Sequence, residues 1–247
     1  MMGFALVVSL TTVVFGAVCW AWFFRAQDRR EPESWFDLTK LLLIGAGLLF
    51  YAGSVNSAVS EIFFPGVGPD ALLSSSYAVS FFTIVRFLPF AAVEELLKAV
   101  MVWLFAYHKR GFNQIQDGVI YAAMVALGFS VMENLMYLMN FIATGSTQLV
   151  VVATLVRTVA TTLLHVTASG FFGYAIARTK FFGRPAYWGV VWYGAGAIAL
   201  HTVFNSLVGT GHLYTGFALT IVALAFLLRL MRKQESVLVW RPLWRRK

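Results

Sequence analysis

Apolar residues run through this chain in long blocks, without the alternating or one-faced spacing of a soluble domain. Seven blocks reach the length at which a helix crosses a bilayer, about 20 residues. They lie at 3–24, 38–57, 77–107, 117–142, 149–178, 186–208 and 212–231. The first block has no basic residues before it, and Arg25, Arg29 and Arg30 follow it directly, so it reads as a retained span and not a cleaved leader. The pattern predicts an all-α, polytopic transmembrane helical bundle of about seven spans. It forms one membrane domain over 1–247, with a basic tail at 232–247.

Composition sharpens this picture. Of 247 residues, 60% are apolar and 12% charged, with a mean hydropathy of +0.76. Soluble domains lie nearer about 45–50% apolar and 25% charged. A soluble enzyme, a disordered chain and a free nucleic-acid binder are thereby excluded, and no nucleic-acid partner is expected. Cys19 stands alone, so it makes neither an intrachain disulfide nor a metal cluster.

The net charge of +8 is distributed by a rule. Sixteen of the 19 basic residues fall in alternate connections: 25–40, 108–116, 178–185 and the tail after 228. The connections at 58–76, 143–148 and 209–211 hold none. Seven crossings with the N-terminus outside and the C-terminus cytoplasmic put all sixteen on the cytoplasmic side. In the tail, Trp240 and Trp244 stand among basic residues, the pattern of an anchor on anionic lipid. The apolar, Pro- and Gly-rich part of segment 58–76 reads as an interfacial loop or a lid.

The remaining basic residues, Arg86, Lys98 and Arg157, lie inside predicted spans, with Glu94, Glu95, Glu133, His165 and His201. An ionisable group at bilayer depth costs at least about 2.5–3.5 kcal/mol, and such groups face the bundle interior and pair with one another. A helix rises about 1.5 Å per residue. Measured from the nearest cytoplasmic charges, Glu94, Glu133, His165 and His201 then lie about 22, 24, 20 and 25 Å up. Four helices bring polar groups to one level. Glu94 and Lys98 share a face at i,i+4, as do His201 and Asn205, and Phe129 and Glu133, with Asn134 beside the last pair. Arg86 and Arg157 lie nearer the outer surface and read as snorkelling residues, or as a rim for an acidic substrate segment.

Carboxylates and imidazoles in a buried pocket suit hydrolysis: a Glu takes a proton from water, and imidazoles or an amide steady the oxyanion. The same groups suit one divalent metal such as zinc. The residue types leave both readings open. No Ser or Cys nucleophile is compelling; Ser169, one turn after His165, is the weak exception. A proton-coupled transporter and a catalytically silent scaffold, immunity protein or sensor are the alternatives from other classes.

The ordered set Glu94-Glu95-Leu-Leu-Lys98, Phe129-Ser-Val-Met-Glu133-Asn134, His165 and His201-Thr-Val-Phe-Asn205 resembles the motifs of the PrsW family of intramembrane proteases, each on its own helix. Asp117-Gly118, followed by Tyr121, resembles the family's start of the fourth span. The resemblance covers roughly residues 77–208. It extends more distantly to the CAAX prenyl endopeptidases and bacteriocin-immunity proteins, which carry His where this chain has Glu133. It implies an intramembrane endopeptidase, glutamic-type or metal-dependent, acting on a membrane-anchored protein; an anti-sigma-factor-like substrate is the family precedent. It implies Glu94 as the water-activating base and Glu95 as its partner. Glu95, Glu133, His165 and His201 are the candidate metal ligands. Asn205 is implied as a donor, with Lys98, Asn134 and Phe129 in support. A bacterial plasma membrane is the implied location.

Overall fold

The computed structural model describes residues 1–28, 31–65 and 79–239, with side chains to residue 233. The described residues are all-helical, without strands. In chain order the helices are α1 (Met2–Arg25), α2 (Trp35–Phe63), α3 (Phe81–Phe105), α4 (Ile115–Ala143), α5 (Thr147–Val156), α6 (Thr162–Phe182), α7 (Tyr187–Gly209) and α8 (Leu213–Val239). A π-helical turn, Arg157–Thr161, joins α5 to α6 without a break, and a 3₁₀ turn, Arg184–Ala186, leads into α7.

Local chemistry starts these helices where the sequence allows. Ser34 accepts the Asp37 N–H at the head of α2, and Ser146 accepts the Leu149 N–H at the head of α5. Ser80 and Thr83 form a reciprocal cap on α3. At α4, Asp117 Oδ2 accepts the N–H groups of Asn113 and Gln114 at 2.7 and 2.6 Å. Asp117 therefore satisfies donors that the first helical turn leaves free. Gly183 adopts φ 66°, which closes α6 at a conformation that a side chain disfavours.

Six helical stretches are long and apolar enough to cross a membrane: α1, α2, α4, the joined α5–α6, Arg184–Gly209 and Leu213–Lys233. The predicted third span, α3, has the length at 25 residues but differs from the six in carrying Arg86, Glu94, Glu95 and Lys98. Two boundaries move outward furthest. The second span was expected to end at 57, yet α2 continues to Phe63, so the first part of segment 58–76 is helix. The last span continues to Val239, into the expected tail. Residues 66–76, Arg29, Arg30, Trp240 and the rest of the tail lie outside the described residues.

Helix α4 is the axis of the bundle. Every residue from Ile115 to Ser130 is buried, and α2, α6 and α1 pack around it. Small residues make the closest approaches. A Cβ on Gly128 would collide with the Leu42 carbonyl of α2, and one on Gly45 with the Val125 carbonyl of α4. Gly118 and Gly173 face each other in the same way between α4 and α6. Association in lipid depends on such backbone proximity. The outward faces are apolar and exposed, as on α1, where Phe4, Val7, Val14, Phe15 and Trp22 point away from the protein.

The link between α1 and α2 docks on the base of α4. The Tyr121 hydroxyl donates to Glu33 Oε2 at 2.5 Å. Burial, with Asp28 and Asp37 nearby, holds the Glu33 carboxyl above its ordinary range. The Asp117-Gly118 start of α4 thus has two structural duties: Asp117 caps the helix, and Gly118 admits α6.

Candidate active site

Four helices deliver Glu94, Glu95, Lys98, Glu133, His165 and His201 to one place, as their similar depths require, and Arg157 joins them. From α3 comes Glu95, with no exposed surface. Its Oε1 accepts from Lys98 Nζ at 2.5 Å and lies 2.8 Å from His201 Nδ1 of α7. Its Oε2 accepts the Ser169 hydroxyl of α6 at 2.7 Å. Both oxygens are engaged. Ser169 is therefore a clamp on Glu95, with its hydroxyl committed to a carboxylate instead of to a base.

Lys98 is also fully buried. Its Nζ lies 3.0 Å from His165 Nδ1 and 4.7 Å from the centre of the Phe129 ring. An ammonium has only donors, so His165 Nδ1 is the acceptor and the ring proton sits on Nε2. That nitrogen lies 3.1 Å from Glu133 Oε2 of α4, to which it donates. The same reasoning puts a proton on His201 Nδ1, which faces the acceptor Glu95. His201 Nε2 then carries a free lone pair. The two imidazoles meet edge to face at 4.9 Å.

Glu133 is held from its far side. Arg157 Nη2 lies 2.9 Å from Glu133 Oε2. Arg157 Nε donates to Asn134 Oδ1 at 3.2 Å, and the guanidinium stacks 3.6 Å from the Tyr137 ring centre. Asn134 in turn donates to Thr162 Oγ1, which also contacts the Ser130 hydroxyl. Arg157 thus belongs to the site and does not snorkel to outer headgroups. The π-turn that carries it has no mark in the sequence pattern.

Glu94 differs from its two fellow carboxylates. Its Oε1 accepts from Asn56 of α2 at 3.3 Å. Among the described residues its Oε2 is buried without a hydrogen-bond partner, and it faces His201 Nε2 at 3.8 Å. Two lone-pair acceptors face each other there, and an unsatisfied buried acceptor is costly. A proton held between the two atoms satisfies both, and so does a third group that brings donors or positive charge, such as water or a cation. Asn56 escaped sequence reasoning because one amide in an otherwise apolar-and-Ser stretch looks like helix surface. Asn205, expected as a donor, is half-buried one turn beyond His201, and no hydrogen bond to it occurs among the described residues.

Ligand atoms of Glu94, His165 and His201 lie within 4.8 Å of one another. This set shares the two imidazoles with the expected one but takes Glu94 as its carboxylate; Glu95 and Glu133 are occupied by cations and donors. The chemistry fits a divalent metal. Glu94 Oε2 is orphaned, and His201 Nε2 has a free lone pair. The Glu95–His201 contact is the outer-shell bond that orients a ligating imidazole. His165 fits in its other tautomer, with the ring proton on Nδ1 and one proton given up by Lys98, in keeping with the proton release that accompanies metal binding. With neutral imidazoles, three carboxylates against Lys98 and Arg157 leave one net negative charge, which favours a cation.

Comparison with known proteins gives the family. A family profile described as "PrsW family intramembrane metalloprotease" matches residues 33–231, wider than the stretch that carries the motifs. The chain is 27% identical over 117 residues to "Protease PrsW" of Geobacillus kaustophilus, covering 47% of this chain and 46% of that one. It is 29% identical over 172 residues to "Protease PrsW" of Halalkalibacterium halodurans, covering 69% of each. It is 28% identical over 160 residues to "Protease PrsW" of Clostridioides difficile, covering 65% of this chain and 61% of that one. The chain thus spans about half the length of the first of these relatives and roughly two thirds of the others. No solved structure matches. Helices fit to cross a membrane, the converging motif residues and the profile match agree: this multi-pass membrane protein belongs to the PrsW family of intramembrane metalloproteases.

Proposed function

We propose that the chain is an intramembrane endopeptidase that hydrolyses a peptide bond of a membrane-anchored protein, with Glu94 as the reacting carboxylate. The observation that carries this reading is the orphaned Glu94 Oε2 facing the free lone pair of His201 Nε2. Asn56 fixes the other Glu94 oxygen and so aims Oε2. Glu94 takes the proton of the attacking water and returns it to the leaving amine. Glu95, bound by Lys98, Ser169 and His201, keeps its charge and holds the His201 ring in place. His165 Nε2–H is a donor for charge that develops on the scissile carbonyl oxygen. With a divalent metal held by Glu94, His165 and His201, the metal would supply the Lewis acidity to the water and to that carbonyl, and ligation would replace the donor role of His165 Nε2 and the base role of the bound Glu94 oxygen.

Substrate chemistry follows from the setting. The site lies within the helical bundle, so a substrate reaches it as a segment in or beside the membrane. Basic residues set the orientation we propose, N-terminus outside and C-terminus cytoplasmic, in a bacterial plasma membrane. A fluorescent protein fused to the C-terminus should then light up in the cytoplasm; a dark fusion, with a periplasmic reporter active at the same position, reverses the topology.

Metal analysis tests the composition of the site. Purified wild-type chain should hold one divalent cation when incubated with zinc. His201→Gln and Glu94→Gln should each weaken binding at least 10-fold in competition with a chelator. Wild-type affinity in both variants would overturn the ligand set.

A further inference from the structure

The helix formed by α5, the π-turn and α6 contributes two side chains to one carboxylate oxygen. Arg157 Nη2 and His165 Nε2 lie 2.9 and 3.1 Å from Glu133 Oε2. Regular helical geometry would forbid this. Each α-helical residue turns about 100°, so residues eight apart are offset by roughly 80° around the axis. A π-turn takes one extra residue into the helix. Arg157 and His165 then sit as if seven apart, offset by only about 20°. The Thr162 N–H reaches back five residues to the Arg157 carbonyl, which locates the insertion between the two side chains. The partner helix accommodates the widened turn: Gly16 of α1 lies against Thr158, where a Cβ would strike the Thr158 methyl group.

We propose that the π-turn at Arg157–Thr161 is a register device. It rotates Arg157 onto the His165 face, and Arg157 thereby becomes the positioning residue that holds Glu133 against His165. This rests on the proposed role of His165 as the oxyanion-side group, but the geometry is independent of it. Arg157 is anchored by Asn134 Oδ1 and the Tyr137 face, so its Nη2 approaches Glu133 from a fixed direction, as an ion pair outside hydrogen-bond geometry. Without it, Glu133, which is about one-fifth exposed, is free to swing toward solvent and His165 loses its acceptor. Arg157 acts through Glu133 and does not touch the Glu94 carboxylate.

The test reads the His165 ring directly and requires no substrate. The chain holds four histidines, so ¹⁵N-histidine labelling gives few signals, and His165→Gln assigns the one of interest. In chelator-treated wild type the hydrogen-bonded His165 Nε2–H proton should appear downfield and exchange slowly. It should be lost in Arg157→Met and in Glu133→Ala, and kept in Arg157→Lys, whose ammonium still pairs with Glu133. Deleting lipid-facing Val159 restores a regular helix while keeping Arg157. It should abolish the signal as fully as Arg157→Met. An unchanged signal in folded Arg157→Met would overturn the proposal, whether or not the chain proves to cleave protein. If the deletion does not fold, the Arg157 pair of variants still decides the matter. An Arg157 role in stability alone would lower the unfolding midpoint and leave the His165 proton where it is.

Discussion

Lys98 has no exposed surface, and its charge is matched on one side by Glu95 and on the other by the His165 lone pair and the Phe129 ring. Removing it strands a buried carboxylate. Breaking one partner of a buried ion pair costs about 3–5 kcal/mol. Lys98→Met should therefore unfold markedly earlier than wild type in detergent. Lys98→Met combined with Glu95→Gln should recover most of the loss, because no uncompensated charge remains. A single variant as stable as wild type would show that Glu95 has another counter-ion. At this scale the sequence was informative in an uneven way. Spacing puts Lys98 beside Glu94 at i,i+4 and beside Glu95 at i,i+3, and it is Glu95 with which Lys98 pairs. Spacing names neighbours; it does not rank them when a third helix competes for the same oxygen, as His201 does for Glu95 Oε1. The division of labour among three glutamates was therefore illegible: which one keeps an unpartnered oxygen depends on Ser169, Arg157 and Asn56, all on other helices.

Among the elements, α4 and α2 meet over Gly128 and Gly45, where backbone touches backbone. Asn56, which aims Glu94, sits on the same α2. A side chain at Gly128 must push α2 outward. Overpacking a tight interior typically costs about 1–3 kcal/mol. Gly128→Leu should lower the unfolding midpoint, and Gly47→Leu, placed where nothing lies within 4 Å, should not. Equal midpoints for the two would contradict the close α2–α4 approach. Helix existence was readable throughout, because the blocks of apolar residues are long; the caps at Ser34, Ser80 and Ser146 that set the exact starts were not. The π-turn was not. One extra residue in a helix leaves composition and hydropathy unchanged, and its consequence appears only when Arg157 and His165 reach the same Glu133 oxygen. The end of α2 was missed for a different reason: Ser57, Ser60 and Glu61 look like the edge of a loop, but the helix continues to Phe63.

Across the whole molecule, the exposed faces are apolar and the interior holds the charge. This inversion of a soluble protein follows from lipid as solvent. It explains why the site was legible before the fold. Ionisable residues in membrane spans are few, so three Glu, two His and one Lys at similar depth had few alternatives to meeting; Arg157, read as an outer-surface residue, joins them through Glu133. It also explains what the fold contributes. Cations and donors from α3, the π-turn, α6 and α7 occupy Glu95 and Glu133, leaving Glu94 with one oxygen uncommitted beside His201. The most direct test compares new protein N-termini in membranes of cells making wild type, Glu94→Gln or Gly47→Leu at equal level. The account predicts termini within or beside a transmembrane segment of a membrane-anchored protein, present with wild type and Gly47→Leu and absent with Glu94→Gln. Identical termini from a folded, membrane-inserted Glu94→Gln chain would contradict it.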